Sequence, residues 1–438
     1  MLVEFKVENF MSIKNEVTFT MQTAPRLKRF KESNTFLTKP VNILKSSVIF
    51  GPNGSGKTNL FKALTYMKHL ILDDYSNTKK TLESLPYHPY KMDTDKVQNP
   101  TKFQIIILIN GELFKYEIHY NKERILFENL QILKDTNDIN YFKREYDTEN
   151  NTYQYELFDG VKDFGDITRG NVLYLPVLSS KNDLVAYKIF QWFNDNLVFI
   201  GSNISKVSSY DSIVEQLEDP SVKNSVIKLL KIADFNIHDI DIRTKTMIIP
   251  EDFKEIFKVI KKLDENDEIS VDDEREIKDI YTIYKGEDNR LIPIHVDSFE
   301  SRGTKKMLLI ATVLVNALRN DGQTIFIDEF DNAFHLAIST FLLKVINSKD
   351  FNVNSQFILN THELSLLKND VLRVDQIWFT EKNKANITDI YSLYDFNDTN
   401  NRSRQDVSYA SDYLNGKYGA WPIVNERALE DLLEEVRK

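Results

Sequence analysis

The run Gly51-Pro-Asn-Gly-Ser-Gly-Lys57-Thr58 is the feature with the clearest chemical meaning. It matches the P-loop pattern of glycine, four variable residues, Gly-Lys and Ser or Thr. Glycines let successive backbone N–H groups turn toward phosphate oxygens, and the following helix points its positive end at the same anion. We expect Lys57 to contact the β and γ phosphates of ATP and the Thr58 hydroxyl to bind Mg²⁺. The predicted nucleotide-binding residues of this segment are Asn53, Gly54, Ser55, Gly56, Lys57, Thr58 and Asn59.

A second motif, Thr324-Ile-Phe-Ile-Asp328-Glu329, is an apolar run that ends in two carboxylates. This pattern is typical of a Walker B strand. Asp328 is predicted to complete the Mg²⁺ shell begun by Thr58, and Glu329 is predicted to polarise the attacking water as general base. A strand that merely ends in two acids would show the same run, but the P-loop upstream favours the catalytic interpretation.

A third motif, Glu300-Ser301-Arg-Gly303-Thr-Lys305, opens a predicted helix at residues 306–318. A hydroxyl, a flexible backbone and a helix N-terminus together form an anion site, although an ordinary helix cap has the same composition. The motif lies 27 residues before Asp328. In that position it resembles the signature of ABC ATPases, in which Ser301 and Gly303 would bind the γ-phosphate held by another subunit.

A histidine and an aspartate complete the predicted site. His362 follows an apolar strand at residues 356–360. A lone histidine is usually structural, but a histidine at this strand end fits the switch histidine that touches the γ-phosphate. Asp331, two residues past Glu329, resembles the start of a D-loop, which links the two sites of a dimer. The predicted catalytic residues are Lys57, Glu329 and His362.

The pattern of apolar residues places the P-loop between a strand and a helix. Residues 41–50 form a β-rich run that ends at glycine, and residues 59–72 carry apolar side chains at helical spacing. Residues 2–7 and 17–21 alternate in the manner of strands. The P-loop therefore has the strand–turn–helix context that nucleotide binding requires.

Antiparallel β structure is predicted after the P-loop helix. The segments at 103–109 and 113–120 are joined by Asn110-Gly111, a hairpin turn that accepts positive φ. Residues 175 to 265 have a helical pattern, and the acidic stretch that follows is predicted to be an exposed loop or arm end. The predicted β segments lie at 103–109, 113–120, 124–133, 141–146, 153–158, 280–284 and 291–296.

Composition excludes several classes of protein. The 438 residues contain no cysteine, which excludes disulfides and thiolate metal sites. No apolar run approaches the roughly 20 residues of a membrane span, and the first residues lack a signal-peptide pattern, so we expect a cytoplasmic protein. The net charge of −10 argues against an extended nucleic-acid surface. A basic stretch at residues 26–45 is either a solvated loop or a contact with nucleic acid or a partner protein.

The order of P-loop, signature, Walker B, D-loop and switch histidine resembles that of ABC ATPases. The opening Leu2-Val-Glu-Phe-Lys-Val-Glu-Asn9-Phe10-Met-Ser12 resembles the SMC, RecF and RecN branch. More closely, the chain resembles bacterial ATPases of the OLD/RloA/AbiL type from phage-defence operons. The residues that carry this resemblance are Glu300–Lys305, Asp328–Asp331, Asn360–Glu363, Asp375–Phe379, Glu381–Asn383, Tyr413–Ala420 and Pro422.

The resemblance implies an α/β fold, with an ABC-type P-loop ATPase core, an inserted antiparallel β subdomain and a helical arm. The expected domains are an N-terminal ATPase lobe at 1–175, a helical insertion with a β hairpin at 176–297 and a C-terminal ATPase lobe at 298–438. A TOPRIM nuclease follows the switch histidine in OLD proteins, but no glycine follows Glu381 here and no Asp-x-Asp metal pair is evident. We therefore expect residues 377–381 to form a strand of the ATPase core.

The resemblance also implies a mode of action. Two copies would enclose two ATP molecules, each between a P-loop and the opposing signature, as a homodimer or a higher homo-oligomer. This switch would control a separate effector, either a nuclease or a toxin, after a phage protein or a nucleic acid is detected. The alternative is a DNA-repair or DNA-tethering ATPase like SMC and RecF. A transporter ATPase would need a membrane partner, to which nothing in the sequence points.

Overall fold

The computed structural model describes residues 1–72, 84–201, 208–248, 274–319, 322–332, 334–368, 370–396 and 408–420, together with 432, 435 and 436. The predicted helix at residues 253–263, most of the acidic stretch after it and Pro422 lie outside the described residues. The strands are β1 Leu2–Glu8, β2 Val17–Thr20, β3 Thr35–Phe36, β4 Ile43–Leu44, β5 Ser46–Phe50, β6 Thr101–Ile109, β7 Glu112–Tyr120, β8 Ile125–Leu133, β9 Ile139–Asp147, β10 Thr152–Leu157, β11 Leu197–Ile200, β12 Asp239–Ile248, β13 Glu274–Lys285, β14 Leu291–His295, β15 Thr324–Ile327, β16 Gln356–Asn360, β17 Ile377–Lys382 and β18 Thr388–Ser392. The helices are α1 Lys31–Asn34, α2 Lys57–Leu72, α3 Tyr174–Ser180, α4 Leu184–Gln191, α5 Ser208–Glu218, α6 Pro220–Ile232, α7 Val296–Phe299, α8 Arg302–Arg319, α9 Leu336–Ile346 and α10 Tyr409–Leu414.

A six-stranded sheet forms the centre of the fold, in the order β11-β15-β16-β5-β17-β18. Its strands run parallel except for β18, which pairs antiparallel with β17. Strands buried on both faces are short apolar runs, and β5 and β15 are buried along their whole length. Because parallel strands end at the same edge, the loops after β5, β15 and β16 emerge together.

The central sheet separates two hydrophobic cores. Ile49 packs into a core with α2 and the antiparallel strands, whereas its neighbours Val48 and Phe50 pack into a second core with α8 and α9. This alternation follows from the two-residue period of side chains along a strand. The helices α5 and α6, from the predicted helical insertion, also pack against α8.

A seven-stranded antiparallel sheet lies beside the first core, in the order β10-β9-β8-β7-β6-β1-β2. The segment inserted after α2 therefore extends the hairpin that begins the chain. Asn110 and Gly111 have φ values of 50° and 80° in the β6–β7 turn, as their sequence predicted. Gln356 of the central sheet bonds both backbone polar groups of Leu2, at 2.6 Å to its N and 2.9 Å to its O, which ties the two sheets together.

The prediction of helix throughout residues 175–265 is wrong for two segments. Leu197–Ile200 pairs with β15 at the edge of the central sheet. Asp239–Ile248 pairs along its whole length with β13 in a three-stranded sheet, β12-β13-β14. Ile240 and Ile242 of this strand alternate with polar residues, and such a pattern favours a strand with one buried face.

The predicted α/β class, with a P-loop core and an antiparallel β subdomain, is confirmed. Residues 377–381 belong to the central sheet as expected, because β17 pairs with β5 through Ile377, Trp378 and Phe379. Within the described part of the chain, no helix is both long and apolar enough to span a bilayer.

Candidate nucleotide-binding site

The P-loop leaves the central sheet at Phe50 and enters α2 at Lys57. A Cβ added to Gly51 would lie 2.5 Å from the carbonyl oxygen of Thr380 on β17, so only glycine fits this close approach. Gly54 has a φ of 75°, in the left-handed region that glycine adopts without strain, and has open space around it. The loop therefore has an exposed, glycine-lined tip directly before a sixteen-residue helix, which is the arrangement that anion binding requires.

The side chain of Lys57 is buried against its own loop. Its ammonium donates hydrogen bonds to the carbonyl oxygens of Gly51 at 2.6 Å and Pro52 at 3.0 Å. It also lies 3.2 Å from Nδ1 of His362. Burial lowers the pKa of Lys57 to about 8, and the nearby carboxylates of Asp328, Asp331 and Glu329 oppose that effect.

Thr58 and Asp328 come together across the end of the central sheet. The Thr58 hydroxyl lies 3.2 Å from Oδ1 and 3.4 Å from Oδ2 of Asp328. Hydroxyl and carboxylate oxygens are the ligand types that Mg²⁺ prefers, with phosphate and water oxygens as the usual additional ligands. Within the described ranges no cluster of three or more His, Asp or Glu side chains is suited to a metal. The pair fits a Mg²⁺ ion shared with a bound nucleotide.

Glu329 follows Asp328 in an unusual backbone conformation. Its φ is 51°, the left-handed region, which costs a non-glycine residue about 1–2 kcal/mol. Its N–H donates to the side-chain oxygen of Asn360 at 2.5 Å, and its carbonyl accepts from the ammonium of Lys306. Its carboxylate is partly exposed and accepts a 3.0 Å hydrogen bond from Asn332. Backbone contacts on both sides thus fix the direction of the Glu329 side chain.

His362 and Asp331 meet beside Lys57. The backbone N–H of His362 lies 3.3 Å from Oδ1 of Asp331. Burial lowers the pKa of His362, and the neighbouring Lys57 charge lowers it further, while Asp331 and Glu329 raise it. The lowered pKa favours a neutral imidazole, which can act as donor at one nitrogen and acceptor at the other.

Hydroxyl groups of Ser12, Thr380 and Thr388 hold the P-loop and the first turn of α2 in place. Ser12 accepts a 2.6 Å hydrogen bond from Asn59 and lies 2.7 Å from the hydroxyl of Thr388. Thr388 donates to the carbonyl of Ser55 at 2.8 Å, and the Ser55 hydroxyl lies 2.6 Å from that of Thr380. Asn59 and Ser55, both predicted to bind nucleotide, thus have their side chains engaged within the protein, whereas Asn53 is exposed at the loop tip.

The signature motif lies at the start of α8. Ser301 accepts from the backbone N–H of Thr304 at 3.1 Å, the bond of a helix N-cap, and its hydroxyl lies 2.9 Å from that of Thr304. Within the described chain, these are the hydrogen bonds of the Ser301 side chain. Ser301 is exposed and Gly303 partly exposed, and the hydrogen-bond partner of the Ser301 side chain is Thr304 of its own helix and not a residue of the P-loop.

Several supporting residues had no role in the sequence-based prediction. Asn360 is the last residue of the buried strand β16, next to Asp328. A polar amide at the end of an apolar strand could have been recognised in the sequence as a residue with a role in the site. Lys306 lies three residues before Leu309 and seven before Val313, which places it on the same buried face of α8. A lysine is out of place on such an apolar face. Thr380 and Thr388 gave no signal, because their role depends on how β17 and β18 pass under the loop.

Comparison with known proteins identifies a family for most of the chain. Residues 46–368, about three quarters of the chain, match the model of a family described as "AAA domain, putative AbiEii toxin, Type IV TA system". A comparison with curated proteins finds no match.

Solved structures similar to the chain include three SMC heads. The SMC head domain from Thermotoga maritima has a TM-score of 0.38 at 13% identity, over 89% of this chain and 98% of that one. The SmcHead bound to the C-winged helix domain of ScpA has a TM-score of 0.42 at 13% identity, over 89% and 97%. The Smc head domain with an extended coiled coil, bound to the C-terminal domain of ScpA and derived from Pyrococcus furiosus, has a TM-score of 0.38 at 12% identity, over 100% and 99%.

Proposed function

Because the chain belongs to this AAA-domain family of ATPases, we propose that it binds ATP at the P-loop and hydrolyses it to ADP and phosphate. The observation that carries the proposal is the meeting of two pairs at one edge of the central sheet. Thr58 lies 3.2 Å from Asp328, and Lys57 lies 3.2 Å from His362. These residues come from three separate stretches of sequence, and each has the chemistry that its place in a nucleotide site requires.

In the proposed site, the backbone of residues 53–59 cradles the phosphates. The Lys57 ammonium exchanges its hydrogen bonds to the carbonyls of Gly51 and Pro52 for hydrogen bonds to phosphate oxygens. The negative phosphates stabilise the protonated form of Lys57. Thr58 and Asp328 would hold Mg²⁺, which would supply positive charge to neutralise the phosphates. Coulomb attraction between the ammonium and the phosphates then offsets the burial that lowers the pKa of Lys57.

Hydrolysis in this proposal depends on Glu329 and His362. The carboxylate of Glu329 accepts a proton from the attacking water as general base. His362 beside Lys57 contacts the γ-phosphate and senses its presence. Asp331 connects this histidine to the loop after β15 through the backbone N–H of His362.

We propose that a second copy completes each site. Ser301 and Gly303 lie at the N-terminal end of an eighteen-residue helix and are accessible. A helix end of this kind attracts anions, which suits the γ-phosphate of ATP held by a partner copy. ATP would therefore draw two copies together, or more in a higher homo-oligomer, and hydrolysis would release them. The domain limits 1–175, 176–297 and 298–438 are retained as a proposal for the parts of each subunit.

The biological role that we propose is a cytoplasmic switch in an anti-phage, abortive-infection system. The motifs shared with OLD/RloA/AbiL-type ATPases support this role, and the family description, which refers to a toxin–antitoxin system, is compatible with it. The ATP-dependent dimer would control a separate effector, a nuclease or a toxin. A phage protein or a nucleic acid would act as trigger.

The direct test compares the wild-type chain with Glu329→Gln in the presence of Mg²⁺ and ATP. We expect the variant to bind ATP normally, to lose hydrolysis and to accumulate as a dimer in size-exclusion chromatography with light scattering. Asp288→Asn serves as the control, because Asp288 lies in the exposed β13–β14 turn, and it should behave as the wild type. Hydrolysis by Glu329→Gln at the wild-type rate would show that Glu329 is not the base.

The defence role is tested separately in cells. Bacteria carrying the complete operon should restrict phage plating, and the same operon with Glu329→Gln should not. Equal phage plating with both versions would contradict the defence role while leaving the ATPase proposal intact.

A further inference from the structure

Lys306 is a buried lysine on the signature helix α8. Its side chain is 4% exposed, although lysine is among the residues least often buried without a specific partner. Burial lowers its pKa to about 8, against the charges of Asp331, Glu329 and Asp328, which raise it. Burying an ammonium costs free energy, so its contacts must offset that cost.

The contacts of Lys306 are with the loop that follows the Walker B strand. Its ammonium donates a short hydrogen bond to the carbonyl oxygen of Glu329 and a 3.1 Å bond to that of Asn332. The same ammonium lies 5.7 Å from the ring centroid of Phe334, within cation–π range. A single side chain of α8 therefore binds three residues of the segment that carries Glu329 and Asp331.

The bond to Glu329 acts on a strained peptide. Glu329 has a φ of 51°, and its N–H is already held by Asn360 at 2.5 Å. Lys306 holds the carbonyl on the other side of the same residue. A left-handed conformation in a non-glycine residue persists only where its surroundings fix it, and these two contacts provide that constraint.

Ser301 lies at the N-terminal end of the same helix, α8. Lys306 lies five residues, somewhat more than one helical turn, after Ser301. A displacement of Ser301 reaches a side chain at this distance, since the first turn of the helix is bonded to Ser301: Lys305 N–H donates to its carbonyl at 3.0 Å and Thr304 N–H donates to its hydroxyl at 3.1 Å. The contacts of Lys306 therefore connect the accessible end of α8 to the peptide that aims Glu329.

We propose that Lys306 is a positioning residue, which orients the general base Glu329 and couples the docking of a partner's phosphate at Ser301 to hydrolysis within the same chain. The inference rests on the proposed ATPase function. It predicts that loss of Lys306 slows turnover without weakening ATP binding, because its ammonium bonds the loop after β15, at Glu329 and Asn332, and not the P-loop.

The test compares Lys306→Met, which keeps the apolar stem, with Lys306→Arg, which keeps donors. Arg319→Met is the matched control on the same helix, because Arg319 is exposed at the C-terminal end of α8 and donates to the hydroxyl of Ser221 at 2.9 Å. ATP affinity, kcat, KM and melting temperature are measured for each. We expect Lys306→Met to lower kcat by about tenfold to a hundredfold with ATP affinity within about threefold of wild type, since one charged hydrogen bond is worth about 1.5–3 kcal/mol. Lys306→Arg should recover part of kcat, and Arg319→Met should match the wild type.

Two results would overturn the inference. Wild-type kcat in a folded Lys306→Met protein would show that Glu329 needs no such support. A parallel loss of kcat and ATP affinity, unrescued by arginine, would show a purely structural lysine. If Lys306→Met does not fold, Lys306→Gln is judged by the same two criteria. The wild-type chain and Glu329→Gln, assayed alongside, separate the cases. If the wild-type chain hydrolyses no ATP, the proposed function fails, and if Glu329→Gln hydrolyses ATP at the wild-type rate, only the assignment of the base fails. Normal kcat in Lys306→Met alone contradicts only the inference.

Discussion

Asn360 donates a hydrogen bond from its side-chain amide to the carboxylate of Asp328 on the neighbouring parallel strand. The oxygen of the same amide accepts from the N–H of Glu329 at 2.5 Å. One buried side chain therefore orients both acidic residues of the Walker B motif. A carboxylate at this position could not donate to Asp328, so the amide is required.

Asn360→Ala is expected to lower ATP hydrolysis about tenfold to a hundredfold, because Asp328 and Glu329 each lose a hydrogen bond that orients them. Asn360→Asp should be worse at neutral pH, since it adds a negative charge against Asp328. Steady-state ATPase assays over a range of Mg²⁺ concentrations measure both effects. Equal activity in the wild type, Asn360→Ala and Asn360→Asp would show that Asn360 does not orient the two acidic residues for hydrolysis.

Lys57→Ala should weaken ATP binding by about tenfold to a hundredfold, because charge-assisted hydrogen bonds are worth about 1.5–3 kcal/mol. Lys62→Ala is the control on the same helix, since Lys62 is exposed. Equilibrium binding of a fluorescent ATP analogue gives the two affinities. An unchanged affinity for Lys57→Ala would place the nucleotide elsewhere.

The glycines of the P-loop should differ in how well they tolerate alanine. Gly51→Ala places a Cβ 2.5 Å from the backbone oxygen of Thr380, which cannot move without shifting β17. Gly54→Ala meets nothing within 4 Å and incurs only the cost of a positive φ, about 1–2 kcal/mol. We expect Gly51→Ala to abolish ATP binding and to lower the melting temperature more than Gly54→Ala. The reverse order would show that the loop is free to relax beside Thr380.

A buried ion pair in the antiparallel sheet predicts a pH-dependent stability. Arg144 and Glu128 are both fully buried, with 3.7 Å between Nη1 and Oε2. Glu128 also accepts hydrogen bonds from the backbone N–H groups of Tyr174 and Leu175 and from the hydroxyl of Tyr116. Burial raises the pKa of Glu128, and Arg144 is the largest influence that lowers it.

Arg144→Met should therefore destabilise the protein by about 3–5 kcal/mol, because it leaves a buried carboxylate uncompensated. Without Arg144 the pKa of Glu128 rises further, so the folded protein holds a proton that the unfolded chain has already released. The unfolded state then binds fewer protons, and stability falls as pH rises. Urea unfolding at about pH 5 and about pH 8 should show the larger loss at the higher pH. A loss independent of pH would mean that packing alone accounts for it, and Glu128→Gln combined with Arg144→Met should restore part of the stability.

The sequence alone determined the chemistry of the proposed site. The P-loop of Gly51–Thr58, the acidic pair after β15 and His362 after β16 are local patterns, because each motif needs only a strand, a turn and specific side chains in order. The hairpin at Asn110-Gly111 was equally readable, since a two-residue turn depends on its own backbone. Local signals failed where pairing came from distant segments, as in Asp239–Ile248, whose partner strand lies more than twenty residues later.

Only the tertiary structure decided how these motifs are held. Thr380 and Thr388 support the P-loop because β17 lies beside β5 and β18 lies beside β17. Asn360 orients Asp328 because β16 and β15 are neighbours, and Lys306 reaches Glu329 because α8 packs in the same core as β15. These contacts join residues between 23 and 333 positions apart. Sequence spacing predicts which groups can react, whereas packing over such separations fixes their direction, because it depends on how distant strands and helices are stacked together.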